Sequence, residues 1–406
     1  MHLFISSVSD DPIVILKTIS SIKPDKAILL ITEKARIKGW NSAIKSIKEI
    51  TNIEVSGLDI PENDASLQWV AIRVENKLHE NAPTKITVDC TTGRGLFRVG
   101  LVDICRNYAE SKSIDFSVCY NDGDTRTIRV IDKFGKNYSE NPPVPIVVEF
   151  ASIKQRLLLY GSDLSKKNTI FFDKGAVPEN NKLLLKNSVA LGKHLLTDFR
   201  TRMFFGDFMG KITSWAKRNN VKLSFTGNGE IAMETESVFR KQYFGNSPAA
   251  KFFEEKTKFT QTFEDVVSSS VTNLILNDKE LLDKVEAVAG GVEILQEGRK
   301  KIEIDTLILL KTGDIIALET KTAFALKGLS SQKDLESRIK NIRDLTGAYT
   351  KWALVFPFTR NDLGDKKNDF LRNFSNKIEN SWHSKDKKIL MIDELEKYLK
   401  EFILLH

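Results

Sequence analysis

Apolar positions along the first third of the chain change period repeatedly. Short runs of Val, Ile, Leu and Phe alternate with stretches whose apolar residues recur every three or four positions. Strands are expected at His2–Ser6, Lys26–Thr32, Ile53–Leu58, Lys85–Cys90 and Asp115–Tyr120. Helices are expected at Asp11–Ser21, Ala35–Ile50, Asp64–His79 and Gly95–Glu110. Strands alternating with helices imply a parallel, doubly wound sheet. Thr125–Lys136 continues as strand-like sequence. Asn141-Pro142-Pro143-Val144-Pro145 then breaks the pattern and reads as a boundary or a stiff extended linker.

The last third carries a second α/β pattern. Phe259–Leu276 has an apolar stripe of Phe259, Phe263, Val266, Val267 and Leu274 at helical spacing. Val285–Leu295 reads as a strand interrupted by Gly290-Gly291. Ile302–Thr322 holds two apolar runs around a polar turn at Lys311–Asp314, a β-hairpin pattern. Ser331–Leu345 reads as a helix that buries Leu335, Ile339, Ile342 and Leu345. Its other face shows Gln332, Lys333, Arg338, Lys340 and Arg343. Lys351–Phe356 is a core strand, and Ile389–Leu405 a final strand and helix.

Between these patterns the reading is open. Ile153–Tyr160 is helical in pattern, and Lys182–Lys217 holds at least one long helix. Phe204, Phe205, Phe208 and Trp215 there form a core-like aromatic stripe. Leu223–Thr235 reads as a hairpin turning at Gly227-Asn228-Gly229. Helices followed by a hairpin fit a winged helix, or a connector that supplies entry strands to the last unit. Phe239–Phe253 mixes aromatic and basic residues, a combination used for stacking on single-stranded bases but also for ordinary core packing.

The hairpin concentrates the chemistry. Asp305 lies in its first run, Glu319 and Lys321 in the second. Residues i and i+2 share a strand face, so Glu319 and Lys321 point the same way. A carboxylate in a strand buried on both faces is costly unless paired or bound to metal. A two-residue loop would set Asp305 opposite Thr320 and send Glu319 to the other face. A three-residue loop, Lys311-Thr312-Gly313, with Gly313 left-handed in a bulge, sets Asp305 opposite Glu319. The bulged register is expected, with Asp305, Glu319 and Lys321 converging.

Asp305 followed by Glu319-Thr320-Lys321 resembles the D…(D/E)-X-K signature of the PD-(D/E)XK nucleases. The resemblance implies that the two carboxylates hold Mg²⁺ or Mn²⁺ and that the lysine orients or activates the attacking water. It also implies a glutamate on the first helix of the domain; Glu264 is the candidate and Asp265 its competitor. The helix after the E-X-K strand flanks the cleft in that family, so Gln332 and Lys333 become candidates for substrate phosphate. The residue chemistry agrees, because hard cations take oxygen ligands and an ammonium stabilises developing negative charge.

In the first unit, ligands are expected at the carboxyl ends of the strands. Two strand ends carry suitable groups: Ser6-Ser7-Val8-Ser9-Asp10-Asp11, and Thr91-Thr92-Gly93-Arg94-Gly95 leading into a helix. Glycine lets a ligand approach the backbone, a helix N-terminus attracts phosphate, and an arginine can pair with it. These loops resemble those of the CARF domain, the CRISPR-associated Rossmann fold, whose usual loop reads T-G-G-T-K. Thr91, Thr92 and Gly93 fall on its first three positions, while Arg94 and Gly95 replace Thr-Lys. The resemblance implies a cyclic oligoadenylate as ligand, tetra-adenylate first, bound at a homodimer interface by Ser7, Ser9, Asp10, Thr91, Thr92, Gly93, Arg94 and Gly95.

Composition adds a little. The net charge is +7 over 406 residues, a weak preference for polyanionic partners. The three cysteines, Cys90, Cys105 and Cys119, read as buried free thiols, and the five histidines are scattered. No apolar run approaches the roughly 18 residues that cross a bilayer, and Met1–Ser7 lacks the features of a signal peptide, so a cytoplasmic protein without membrane contact is expected. The whole reads as an α/β chain: a Rossmann-like sensor (1–140), a connector (141–255) and a PD-(D/E)XK-like nuclease domain (256–406). Together the resemblances imply a cyclic-oligoadenylate-activated nuclease of type III CRISPR defence, acting on single-stranded RNA or DNA. A ligand-sensing transcription regulator and a restriction- or repair-type nuclease indifferent to cyclic nucleotide are the alternatives.

Overall fold

The computed structural model describes the chain apart from residues 9–10, 61–66, 94, 123–126, 134–138, 147, 200–201, 203–207, 224–237, 240–258, 322–331, 349, 363–386 and 405–406. Two sheets organise it. The first contains β1 (His2–Ser7), β2 (Lys26–Thr32), β3 (Glu54–Ile60), β4 (Lys85–Asp89), β5 (Asp115–Asp122), β6 (Thr127–Lys133), β7 (Ser139–Glu140) and β8 (Val144–Pro145). Its order is β3-β2-β1-β4-β5-β6-β7, with β8 pairing β6. The strands β1 to β5 are parallel and β6 joins antiparallel. Chain order reverses between β1 and β4, which opens a crevice at their carboxyl ends. The proline-rich stretch is therefore not only a linker, because Val144–Pro145 is hydrogen-bonded into the sheet edge.

The second sheet contains β9 (Ser162–Leu164), β10 (Thr169–Asp173), β11 (Val285–Gln296), β12 (Arg299–Leu310), β13 (Ile315–Thr320), β14 (Lys351–Phe356) and β15 (Lys387–Met391). Its order is β10-β11-β12-β13-β14-β15, with β9 pairing β11. β10 to β13 are antiparallel neighbours, whereas β13, β14 and β15 are parallel. β11 runs unbroken through Gly290-Gly291, where the sequence suggested an interruption. The middle of the chain holds the expected long helix at Lys182–Thr197 and a second helix at Phe208–Arg218. Trp215 and Phe239 lie buried with ring centroids 5.4 Å apart, so these two aromatics are core. The predicted Leu223–Thr235 hairpin and the basic part of Phe239–Phe253 lie outside the described residues, as do Phe204 and Phe205.

Helices Leu67–Asn81 and Gly95–Lys112 cover one face of the first sheet. On its other face a single apolar cluster continues into the second sheet. Ile13, Leu16, Trp40 and Phe150 belong to the same buried group as Ile304, Leu309, Ala317 and Trp352. The opposite face of the second sheet is covered by helices Lys182–Thr197, Phe208–Arg218, Phe259–Asn277 and Leu395–Leu404. β13 is buried at all six residues, IIALET, as a strand sandwiched between layers should be.

The turn between β12 and β13 settles the register. Leu309 pairs Ile315 and Thr306 pairs Leu318, so one step further Asp305 lies across from Glu319. Leu310 N–H bonds the Asp314 carbonyl at 2.9 Å, leaving three loop residues, and Gly313 adopts φ +81°. This is the bulged form expected from Lys311-Thr312-Gly313. Glycine is needed twice there. The φ is left-handed, and a Cβ would stand 2.8 Å from the Phe150 ring and 3.0 Å from Ile13 Cδ1.

That turn docks against the first unit. Arg156 Nε, on the helix Ile153–Leu158, donates to the Gly313 carbonyl at 2.6 Å, and Lys17 Nζ meets Asp314 at 2.7 Å. The Arg156 guanidinium lies 4.9 Å from the Tyr160 ring centroid. The Tyr160 hydroxyl donates to Asp11, which also accepts from Ile13 N–H and Ala348 N–H. Burial, then the Asp11 charge, pushes the Tyr160 hydroxyl's pKa up. Asp11 ends the loop that follows β1, and Ala348 follows the helix Gln332–Thr346. The loop expected to touch ligand is thus bonded directly to the second unit.

Candidate active site and sensor crevice

Glu319 sits on the most enclosed strand of the second sheet and is only 1% exposed. Burial, then the nearby Asp305 charge, raises its carboxyl pKa to about 7. Its principal partner is a residue absent from the sequence candidates. Arg338 Nη2, from the helix Gln332–Thr346, spans both carboxylate oxygens at 2.8 and 2.7 Å and also donates to the Glu303 carbonyl at 3.0 Å. The sequence reading put Arg338 on the exposed face of its helix. The structure turns it inward instead. It stands four positions before Ile342, at the edge of the stripe formed by the buried Ile339, Ile342 and Leu345. Lys321 Nζ is 3.9 Å from the second Glu319 oxygen and its side chain is 42% exposed, so the ammonium faces the open side.

Asp305 is buried and directed at the strand it faces. One carboxylate oxygen accepts from Thr320 N–H at 2.6 Å and Thr320 Oγ1 at 2.9 Å. Asp305 therefore contacts the residue next to Glu319. Glu264, on the helix Phe259–Asn277, joins the same field. Burial, then Asp305 and Glu303, pushes its carboxyl up to about 8, while Lys321 acts in the opposite sense. Its neighbour Asp265 is raised to about 7 by burial alone. Of the two candidates on this helix, Glu264 is the one that feels Asp305. The side chains of Gln332 and Lys333 lie outside the described residues.

These groups form one acidic cluster of hard oxygen donors, from the middle of β12, the end of β13 and the helix Phe259–Asn277. That donor chemistry fits Mg²⁺ or Mn²⁺. The arrangement is not a ready cage. Among the described residues no three carboxylate, histidine or cysteine groups come together as a metal site. Asp305 is engaged by Thr320 and Glu319 by Arg338.

In the first sheet, the loops after β1 and β4 meet at the crevice. Asp89, fully buried, binds them together. It accepts from Ser6 Oγ at 2.9 Å, from Thr91 N–H at 2.8 Å and from Thr92 Oγ1 at 3.2 Å. Burial raises its pKa against those hydrogen bonds. Thr92 Oγ1 also donates to the Ser7 carbonyl at 2.6 Å, and Thr91 Oγ1 accepts from Asn121 N–H at 2.7 Å. Gly93 (φ +89°) passes so close that a Cβ would lie 2.4 Å from Ser7 Oγ. Ser7, Thr91, Thr92, Gly93 and Gly95 are thus gathered at one site, with Gly95 opening the helix Gly95–Lys112. Ser9, Asp10 and Arg94 lie outside the described residues. Asp89 was not among the sequence candidates, because it falls inside the expected strand Lys85–Cys90. Cys105 and Cys119 are buried free thiols, whereas Cys90 is half-buried just beyond β4.

No known family profile matches the chain, and no curated protein matches it by sequence. Solved structures do match its fold. Protein VC1899 from Vibrio cholerae aligns with a TM-score of 0.62 and 12% identity, over 100% of this chain and 98% of that one. Can2 from Sulfobacillus thermosulfidooxidans, solved in complex with cyclic tetra-adenylate, aligns with a TM-score of 0.57 and 13% identity, over 99% and 96%. Identities this low speak to the fold alone. Among the described residues no helix is long and apolar enough to cross a membrane. The chain carries, from end to end, the two-unit α/β fold that VC1899 and Can2 share.

Proposed function

We propose that this protein is a metal-dependent nuclease of type III CRISPR defence, switched on by a cyclic oligoadenylate. The observation that carries the reading is the pair of buried carboxylates, Asp305 and Glu319, on adjacent strands with Lys321 beside them. The end-to-end fold likeness to Can2, a protein solved with cyclic tetra-adenylate, supports the choice of activator.

Asp305 and Glu319 would hold the divalent cation, with Glu264 alongside, and the cation would supply an acidified water and charge neutralisation at the phosphoryl oxygens. Lys321 presents its ammonium on the exposed side, where a phosphodiester arrives, and stabilises the negative charge that develops there. Thr320 fixes the Asp305 carboxylate through two hydrogen bonds, so its direction is set before substrate binds. In the crevice, Ser7, Thr91, Thr92 and the Gly93 backbone would offer donors to a phosphate ring, with Ser9, Arg94 and Gly95 adding to them and Asp10 serving as an acceptor for the ligand's hydroxyls. A second copy of the chain would close the ligand between two such crevices. Ligand binding then favours one arrangement of the two units by its differential affinity, transmitted where Asp11 meets Ala348.

The test incubates the full chain with Mg²⁺ or Mn²⁺ and labelled single-stranded RNA or DNA, with and without cyclic tetra- or hexa-adenylate. Cleavage that needs both metal and cyclic nucleotide is expected. Cleavage indifferent to cyclic nucleotide would make it a restriction- or repair-type enzyme. Activator binding without any cleavage would make it a ligand-sensing regulator.

A further inference from the structure

We infer that Arg338 occupies the cation's seat on Glu319, so that guanidinium and divalent metal exclude one another. This rests on reading the acidic cluster as a metal site. A single nitrogen, Nη2, bridges both Glu319 oxygens at 2.7 and 2.8 Å. A Mg²⁺- or Mn²⁺-sized ion held by those oxygens at about 2.1 Å would lie within about 1 Å of that nitrogen. A cation held by both oxygens and the guanidinium cannot coexist there. Arg338 is therefore a positioning residue acting on Glu319 and not a bystander of the helix.

The surroundings suit a guanidinium that leaves. Among the described residues its hydrogen bonds all come from Nη2, to Glu319 and the Glu303 carbonyl, and the buried Nε has no hydrogen-bond partner. The side chain is 39% exposed, so it has a solvent path away from Glu319. A buried carboxylate stripped of its counter-charge is strongly disfavoured. The ionised Glu319 therefore needs either Arg338 or a metal, and exchanging one for the other keeps it paired. The helix that carries Arg338 ends at Thr346, two residues before the Ala348 N–H held by Asp11. A shift of that helix under activator would move the competitor.

The test measures Mn²⁺ binding without substrate or activator, by the electron-paramagnetic resonance signal of free Mn²⁺ at pH 8. The proteins are wild type, R338A, R338K and E319Q, each also melted in EDTA and in Mn²⁺. Losing one charge-assisted contact to the competitor should tighten Mn²⁺ binding about 10-fold or more in R338A, with R338K between it and wild type. R338A should melt lower than wild type in EDTA and gain more from Mn²⁺. A merely structural arginine would weaken binding on removal. Equal or weaker Mn²⁺ binding in R338A, with E319Q still abolishing it, would overturn this inference and leave the metal site standing. No Mn²⁺ binding by any folded variant would overturn the metal-site reading itself, and this inference with it. If R338A does not melt cooperatively, R338Q, uncharged but longer, takes its place.

Discussion

Arg156→Met would remove the guanidinium that ties the connector to the β12–β13 turn while keeping most of the side chain's bulk. Arg156 is 2% exposed, bonds the Gly313 carbonyl at 2.6 Å and packs on the Tyr160 ring. A charge-assisted hydrogen bond contributes about 1.5–3 kcal/mol, and a desolvated cation–π contact about 2 kcal/mol. Against these stands relief from burying a charged group whose Nη1 lacks a hydrogen-bond partner, about 1–2 kcal/mol. The net loss is therefore about 1.5–4 kcal/mol. Urea unfolding followed by tryptophan fluorescence, at constant m-value, measures it. Because the lost bond holds the tip of the β12–β13 hairpin, the variant should also lose about 10-fold or more of its activation by cyclic oligoadenylate while its Mn²⁺ affinity stays at the wild-type level. A stability change under about 0.5 kcal/mol, the usual range for surface substitutions, would refute the assignment of Arg156 as the strut. Full activation in a destabilised variant would refute its part in coupling.

Other outcomes follow from the same contacts. Gly313→Ala meets both a left-handed φ and a 2.8 Å approach to Phe150, and should cost about 2–4 kcal/mol by thermal or urea unfolding. Gly93→Ala would push into Ser7 and should weaken binding of cyclic tetra-adenylate about 10-fold or more by calorimetry, leaving Mn²⁺ binding untouched. Glu264 and Glu319 have folded pKa values of about 8 and about 7, above their unfolded value of 4.5. Protons bind the folded state more tightly, so this stability is fully present below pH 4.5 and is lost as pH rises towards 8. In EDTA the melting temperature should fall across that window, and Glu264→Gln should flatten part of the fall; an unchanged slope would contradict the burial of that carboxyl.

Much of the fold was legible because local signals agreed. The period-two and period-3.6 runs of the first sheet are bounded by polar turns. The β12–β13 register followed from Gly313, the one residue in the turn suited to the left-handed conformation. What was not legible depended on distant partners. β9 and β10 are three and five residues long and gain their identity only by pairing with β11, more than a hundred positions away. Arg338 looked like one of five solvated polar residues on its helix, and only its contacts with Glu319 and the Glu303 carbonyl distinguish it. Its place at the edge of the Leu335–Ile342 stripe was the available clue. Asp89 looked like an interior residue of the strand Lys85–Cys90, though a carboxylate inside an apolar run was itself a signal that partners lay nearby. Asp11, read as part of a ligand loop, spends its carboxylate on Tyr160 and Ala348.

The central claim concerns one carboxylate. Wild type and Glu319→Gln should be compared for cleavage of single-stranded RNA and DNA in Mg²⁺ with saturating cyclic tetra-adenylate, alongside binding of the activator. The account predicts cleavage by the wild type, its loss in the variant, and the same activator affinity in both. Undiminished cleavage by Glu319→Gln would contradict it.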